Sequence, residues 1–97
     1  MATYIVLTTF TDQGIRNVKD STKRADAVKD LAKKFGITPK EFFWTLGSYD
    51  VVAIFDAPDD ASMTALGLAI GLGGNVRTQT LRAFSREEMN GVLAKLT

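Results

Sequence analysis

The spacing of apolar residues changes several times along the chain, and each change predicts a new element. The segment TYIVLTTF, residues 3–10, is rich in β-branched and aromatic residues and predicts a first strand. Thr11 or Asp12 can then cap a short helical turn. Ser21 opens a long helix that Gly36 ends. The apolar stripe of that helix consists of Ala25, Val28, Leu31, Ala32 and Phe35.

The second half of the chain contains a predicted hairpin, a helix, a strand and a final helix. The segments EFFWTLG (41–47) and VVAIFDA (51–57) predict two strands joined by a turn at Gly47–Asp50. A helix follows over 61–73 and a fourth strand over 75–84. Ser85 and Glu88 have the spacing of a capping box and open a final helix. Its apolar face comprises Met89, Val92, Leu93 and Leu96.

This element order predicts the fold class. A β-α-β-β-α-β order makes a four-stranded antiparallel sheet with its helices on one face, which is the ferredoxin-like sandwich. We therefore predict an α+β fold of this type with a C-terminal helix, related to dimeric α/β barrels. A length of 97 residues predicts one domain, spanning residues 1–97.

The first three strands are apolar on both faces. Ile5 and Leu7 alternate with Tyr4 and Val6, and the later strands continue this pattern. A sheet covered on one side only normally has a polar second face. Large exposed apolar patches are rare on monomers, so the pattern predicts a homodimer or larger assembly.

The helix over 61–73 is unusual because no charged residue occurs between Asp60 and Arg77. Gly67 and Gly71 lie four residues apart on one face, where a missing side chain allows close approach of another backbone. A helix that is apolar all round is normally buried all round. We expect this helix to form a second contact surface.

Composition excludes several kinds of chemistry. The chain has no cysteine and no histidine, which excludes disulfides, thiolate chemistry and zinc sites built on those residues. It also excludes imidazole bases. The net charge of +1 argues against a nucleic-acid partner, and no apolar run is long enough for a membrane span. We predict no cofactor, no metal, no membrane association and a cytoplasmic location.

The turn Gly47-Ser48-Tyr49-Asp50 has two interpretations. Gly47 supplies the positive φ that a tight turn favours, and Ser48 and Asp50 can bind nearby backbone. Tyr49 is less easily explained as a turn residue, although it can cap the end of the core. The functional interpretation is a polar pocket at the end of the sheet, formed by Tyr49, Asp50 and Arg77, with aromatic walls that include Trp44.

The segments TLGSYDVVAIFDAPDD and GNVRTQTLRAF resemble the GYD domain family of small bacterial proteins, with Gly47, Tyr49 and Asp50 at the positions that name it. More distantly, they are similar to the ligand-sensing domains of leucine-responsive (Lrp/AsnC-type) regulators, which carry a Gly-x-Tyr-Asp hairpin. That similarity implies sheet-mediated dimers that bind amino acids between subunits. No helix-turn-helix precedes the domain here, so DNA binding is not implied.

The fourth strand adds candidate ligand-binding residues. Arg77 and Arg82, with Thr78 and Thr80, suit an anionic ligand, although they also suit the polar positions of an edge strand. The candidate ligand-binding residues are therefore Tyr49, Asp50, Arg77, Trp44, Thr78 and Arg82.

Three classes of function remain open. The favoured hypothesis is a non-catalytic module that binds a small molecule or another partner as a homo-oligomer, with the ligand at the sheet end or subunit interface. The second is a cofactor-independent monooxygenase or isomerase, in which Tyr49, Trp44 and Arg77 position an aromatic substrate. In that case Asp50 acts as the base. The third is a structural assembly protein.

Overall fold

The computed structural model describes residues 1–96. The strands are β1 (Ala2–Phe10), β2 (Thr38–Trp44), β3 (Val51–Ala57) and β4 (Val76–Ala83). The helices are α1 (Asp12–Arg16), α2 (Ser21–Lys34), α3 (Asp60–Leu72) and α4 (Arg86–Leu93), with a 3-10 turn at Val18–Asp20 before α2.

The strands form one antiparallel sheet in the order β2-β3-β1-β4. The two halves of the chain therefore interleave, and the first and third strands lie at the centre. This is the ferredoxin-like α+β arrangement, as the element order predicted. The long helices α2 and α3 cover one side of the sheet, called here the helix face; the other side is called the outer face.

The core lies between the helix face and these two helices. Tyr4 and Val6 of β1 are almost fully buried, and Phe55 of β3 is paired directly with Tyr4. They pack in one cluster with Ala32 of α2 and Leu66 of α3. Because strand side chains alternate between faces, the residues between them point to the outer face.

The short helix α1 joins the end of β1 to the loop before β4. Thr11 caps it by accepting a hydrogen bond from the backbone N–H of Gly14 at 3.1 Å. The Thr11 backbone N–H also donates to the carbonyl of Asn75 at 3.0 Å. Gly14 is buried against that carbonyl, and a Cβ at this position would lie 1.9 Å from the Asn75 oxygen. Only glycine allows this approach of the two backbones.

The second strand has different bounds from those that the sequence predicts. The second strand starts at Thr38 instead of Glu41, because Thr38 and Pro39 pair with the end of β3 through a bulge. It ends at Trp44, after which the backbone N–H of Thr45 donates to the carbonyl of Asp50 and closes the hairpin.

Helix α3 is not covered on all sides within one chain. Met63 and Leu66 are buried, but Leu68 and Leu72 are 68% and 88% exposed. Gly67 lies on the sheet side, where an added Cβ would be 3.9 Å from the side chain of Thr78 on β4. A Cβ at Gly71 would meet no atom within 4 Å. Within residues 1–96, the backbone of no other element makes the close approach that the sequence suggested at these two glycines.

Candidate functional site

The glycine–tyrosine–aspartate hairpin is held to β1 by Asp50. Its backbone N–H donates to the carbonyl of Thr8 at 2.8 Å, and its carboxylate accepts a hydrogen bond from the backbone N–H of Phe10 at 2.8 Å. Gly47 has a φ of +116°, which favours glycine. Gly47 and Asp50 therefore shape the hairpin and fix it to the end of the central strand.

Tyr49 extends from this hairpin over the outer face. Its hydroxyl donates to Gln79 Oε1 of β4 at 3.3 Å, so the side chain spans β1, which lies between β3 and β4. Tyr49 is exposed. It belongs to the outer face and is not part of the core between sheet and helices.

The centre of the outer face is apolar. Ile5 pairs with Ile54 on one side and with Leu81 on the other, and Leu7 pairs with Val52. Phe43 of β2 continues this patch beyond Val52 and is 51% exposed, while Leu81 is 40% exposed. The apolar centre of the outer face thus comprises Ile5, Leu7, Phe43, Val52, Ile54 and Leu81.

Polar residues surround this apolar centre. Thr3 donates a hydrogen bond to Asp56 at 3.0 Å, and Lys40 forms an ion pair with the same carboxylate at 3.7 Å. Along β4, alternation places Arg77 and Gln79 on the outer face beside Leu81. An apolar centre with a polar periphery is the usual layout of a protein interface.

A cavity of about 270 Å³ lies on the helix face, between α2, α3 and the sheet. Its walls are mainly apolar and include Phe42, Phe55, Val28, Leu31 and Ile70. The rings of Phe42 and Phe55 meet edge to face, with centroids 5.6 Å apart. Helix packing therefore leaves a space in this layer that is lined like a small-molecule pocket.

The polar side chains that line this cavity are Thr8, Ser21, Arg24, Trp44, Asn75 and Thr78. Trp44 Nε1, from the end of β2, donates to Ser21 Oγ, from the start of α2, at 2.8 Å. The Arg24 guanidinium lies 5.7 Å from the ring centroid of Phe10. It also donates to the backbone carbonyls of Asn17 at 2.7 Å and Gly14 at 3.3 Å.

A second cavity, of about 470 Å³, lies between α3 and β4 and is lined by Tyr4, Asp60, Thr78, Thr80 and Arg82. The Tyr4 hydroxyl donates to the carboxylate of Asp60, and this hydrogen bond raises the pKa of Tyr4 above its ordinary value. Burial raises the pKa further. The phenol therefore stays protonated at neutral pH and is not available as a base there.

Arg82 is held at the edge of this second cavity. Its guanidinium forms an ion pair with Glu88 of α4 at 2.9 Å, and its carbon lies 4.5 Å from the Phe84 ring centroid. The hydrogen bond from the backbone of Ser85, followed by that from Arg82, holds the pKa of Glu88 below its usual range. Arg82 thus connects the sheet edge to the capping box of α4.

The six candidate residues do not form one site within this chain. Trp44 and Thr78 line the cavity on the helix face, and Arg82 lines the second cavity with Thr78. Tyr49 and Arg77 lie on the outer face, and neither lines either cavity. The separation follows from strand alternation, because adjacent residues of β4 point to opposite sides.

Sequence reasoning missed Arg24 and Ser21, which line the cavity between α2, α3 and the sheet. The spacing of apolar residues along α2 could have identified Arg24. Arg24 precedes Val28 by four residues and Leu31 by seven, so it falls on the stripe that faces the core. A charged residue on that stripe must lie beside the sheet.

Residues 1–96 contain neither a cluster of metal-binding side chains nor a membrane-spanning helix. In this part of the chain, acidic side chains do not converge in groups of three that could hold a metal ion. None of the helices described here combines the length and apolar character needed to cross a bilayer.

Comparison of the sequence with models of known protein families identifies the family of this chain. The model of the GYD domain family matches residues 4–93. The chain belongs to the GYD domain family. This confirms the resemblance seen in the sequence, which rests in part on the hairpin residues Gly47, Tyr49 and Asp50. In this GYD domain, the glycine and aspartate build the turn and the tyrosine lies on the outer face.

A curated relative of this GYD protein comes from Thermus thermophilus. It is 34% identical over 84 residues, which cover 86% of this chain and 88% of the relative. That protein is named glutamine synthetase and cystathionine beta-lyase binding protein.

Proposed function

We propose that this GYD protein is a protein-binding module that acts as a homodimer or larger homo-oligomer, joined through the outer face of its sheet. The observation that carries this proposal is the exposed apolar centre of the outer face. Family membership and the named relative support a binding or interaction module. We keep the cytoplasm as its proposed location.

The physical argument concerns the cost of hydrating the outer face. A sheet with helices on one side usually has polar side chains on the other. Here Ile5, Ile54 and Leu81 lie side by side across three strands. Covering such side chains contributes roughly 25 cal/mol for each Å² of apolar surface removed from water. A second copy offers the same apolar centre and the same polar periphery, as a two-fold interface requires.

Helix α4 supplies a second exposed apolar surface. Its cap is well formed, with both hydrogen bonds of the Ser85–Glu88 capping box present. Its apolar side chains nevertheless remain partly exposed, including Met89, Val92 and Leu93 at 38% to 46%. We propose that α4 extends the contact between copies, because an amphipathic helix is stabilised mainly by packing its apolar face.

We assign two of the candidate residues to this interface. Tyr49 and Arg77 lie on the outer face beside its apolar centre. Tyrosine and arginine are both enriched at protein interfaces. A role in contacts between copies accounts for the tyrosine better than a role in the turn does.

The name of the Thermus thermophilus relative suggests an enzyme as a further partner. It describes a protein that binds two enzymes, and we propose that this chain also binds an enzyme. The exposed Leu68 and Leu72 of α3 are the proposed contacts. They lie on the helix side of the sheet, so they stay accessible when the outer face is covered.

Binding experiments with purified glutamine synthetase and cystathionine beta-lyase from the host organism test this proposal. We expect at least one enzyme to bind the immobilised protein. The double variant L68E/L72E should weaken binding by about tenfold or more, because two charges enter an apolar contact. Lys23→Glu, on the exposed surface of α2, changes the net charge by the same amount and is the matched control. Binding of neither enzyme to the wild-type protein would contradict the enzyme-partner proposal.

A further inference from the structure

We propose that the 270 Å³ cavity between α2, α3 and the sheet binds a small apolar monocarboxylate, with Arg24 as the group that binds the carboxylate. This site lies on the helix face, so the proposal does not depend on the assembly or enzyme partner proposed above.

The size of the cavity limits the ligand. A volume of about 270 Å³ lies just below the usual range for ligand pockets, roughly 300–1,000 Å³, so the cavity suits a small ligand. The aromatic rings of Phe42 and Phe55 and the aliphatic side chains of Val28 and Ile70 form its walls. An aromatic ring or a short aliphatic chain matches this space and these walls.

The charge of the cavity determines which polar group the ligand carries. Arg24 is the one charged side chain among the lining residues, and none of them is acidic. Its ion-pairing capacity is unused, since no carboxylate of residues 1–96 lies within 4.0 Å of it. The nearby groups that it contacts are neutral, namely two backbone carbonyls and the Phe10 ring. A half-buried cation among neutral groups favours an anionic ligand.

Arg24 retains the donors needed for this role. A guanidinium carries five N–H donors, and the structure accounts for two of them, those bound to Asn17 and Gly14. These two bonds fix the orientation of the planar group at the cavity. The remaining donors can bind a carboxylate in two-point geometry, which is the strongest hydrogen-bonding mode of arginine.

Trp44 lines the cavity and also reaches solvent. Its indole is 45% exposed and reaches across to Ser21 on α2, so β2 and α2 meet there through one hydrogen bond between side chains. The same residues form part of the cavity lining. Trp44 is the one tryptophan of the chain, so its fluorescence reports occupancy directly.

The test uses phenylacetate and hexanoate as probes, with phenylacetamide and hexanamide as neutral analogues. Binding is measured by Trp44 fluorescence and by calorimetry. We expect at least one acid to bind, and its amide to bind about tenfold or more weakly because the charge-assisted hydrogen bonds are lost. Arg24→Gln should weaken acid binding by a similar factor and remove the difference between acid and amide. Arg86→Gln, which removes a charge from α4, should bind as the wild type does.

Ala69→Leu gives an independent test that leaves Arg24 in place. Ala69 lines the cavity, so a larger side chain there should block both probes while the circular dichroism spectrum stays native. This variant and the wild-type acid–amide comparison decide the question even if Arg24→Gln fails to fold. The proposal is overturned if neither acid binds, if acid and amide bind equally, or if Ala69→Leu binds normally.

Discussion

The two faces of the sheet are made from the same strands but have different surroundings. On the helix face, Tyr4 and Val6 are 4% and 2% exposed and pack against α2 and α3. On the outer face, Ile5 and Ile54 pair with each other and remain partly exposed. No helix of residues 1–96 packs over them. Apolar composition therefore does not distinguish the faces; the presence of a packing partner does. This difference indicates that the outer face is adapted to a surface outside the chain.

The helix face is also incompletely filled. Phe55 and Leu66 are buried in its core, whereas the space between α2 and α3 remains open near Trp44 and Arg24. The apolar centre of the outer face thus has no packing partner within residues 1–96. The helix face is packed but leaves the cavity between α2 and α3. The first property is typical of a protein interface and the second of a ligand site.

The largest expected effect distinguishes the two faces directly. Val6→Glu should unfold the protein, because a carboxylate buried without a partner costs about 4 kcal/mol or more. Ile54→Glu should leave the monomer folded, with its intrinsic stability changed by about 1 kcal/mol or less, since its side chain reaches solvent once the copies separate. Urea unfolding of the two variants measures both changes.

The comparison between these variants fails if they unfold alike. If Ile54→Glu also lost its native circular dichroism spectrum at low protein concentration, the outer face would be necessary for the monomer fold itself. Asp30→Lys, on the exposed surface of α2 and away from the outer face, serves as a charge-changing control.

A second prediction compares tight and open packing among the helices. Gly14→Ala should destabilise the protein by about 3 kcal/mol, the upper part of the usual range for overpacking, because its Cβ would collide with the Asn75 backbone. Gly71→Ala should be neutral or stabilising by about 1 kcal/mol, because alanine has the better helix propensity and the position is open. Thermal melts of both variants measure these effects. Equal melting temperatures would show that α1 does not pack closely on the loop before β4.

The smallest effect concerns the start of α3 and depends on pH. Asp59 accepts a hydrogen bond from the backbone N–H of Ser62 at 2.7 Å, and hydrogen bonding to Ser62 lowers the pKa of Asp59 below its ordinary 3.8. A lowered folded-state pKa means that the stabilisation is complete above the unfolded-state value and is lost as pH falls through the folded-state value.

Asp59→Asn should keep the cap at neutral pH, because asparagine also caps helices, but it should remove this contribution to acid sensitivity. Stability curves between neutral pH and the acid range measure the difference. Identical pH dependence in the wild type and Asp59→Asn would show that the Asp59 cap does not contribute to acid unfolding.

Much of the fold was predictable because local chemistry determines it. The β-branched run at 51–57, the glycine that ends α2 and the Ser85–Glu88 capping box all lie where the sequence indicates. The boundaries of β2 were less predictable. Pro39 suggested the entrance to a strand, whereas pairing with β3 makes it part of the strand.

The site was predictable only in part. Strand alternation alone separates Arg77 from Thr78, so their division between two faces follows from the sequence. The cavity cannot be derived from the sequence in this way, because its size depends on the distance between two helices that are far apart in the chain. The position of Tyr49 over Gln79 likewise depends on strand order, which brings residues 30 apart into contact.

Light scattering during size-exclusion chromatography measures whether the wild-type protein associates through the outer face. At micromolar concentration, we predict a mass of two or more chains for the wild type and of one folded chain for Ile54→Glu. The control Asp30→Lys, on α2, should keep the wild-type mass. A wild-type protein that is folded and monomeric under these conditions would contradict association through the outer face.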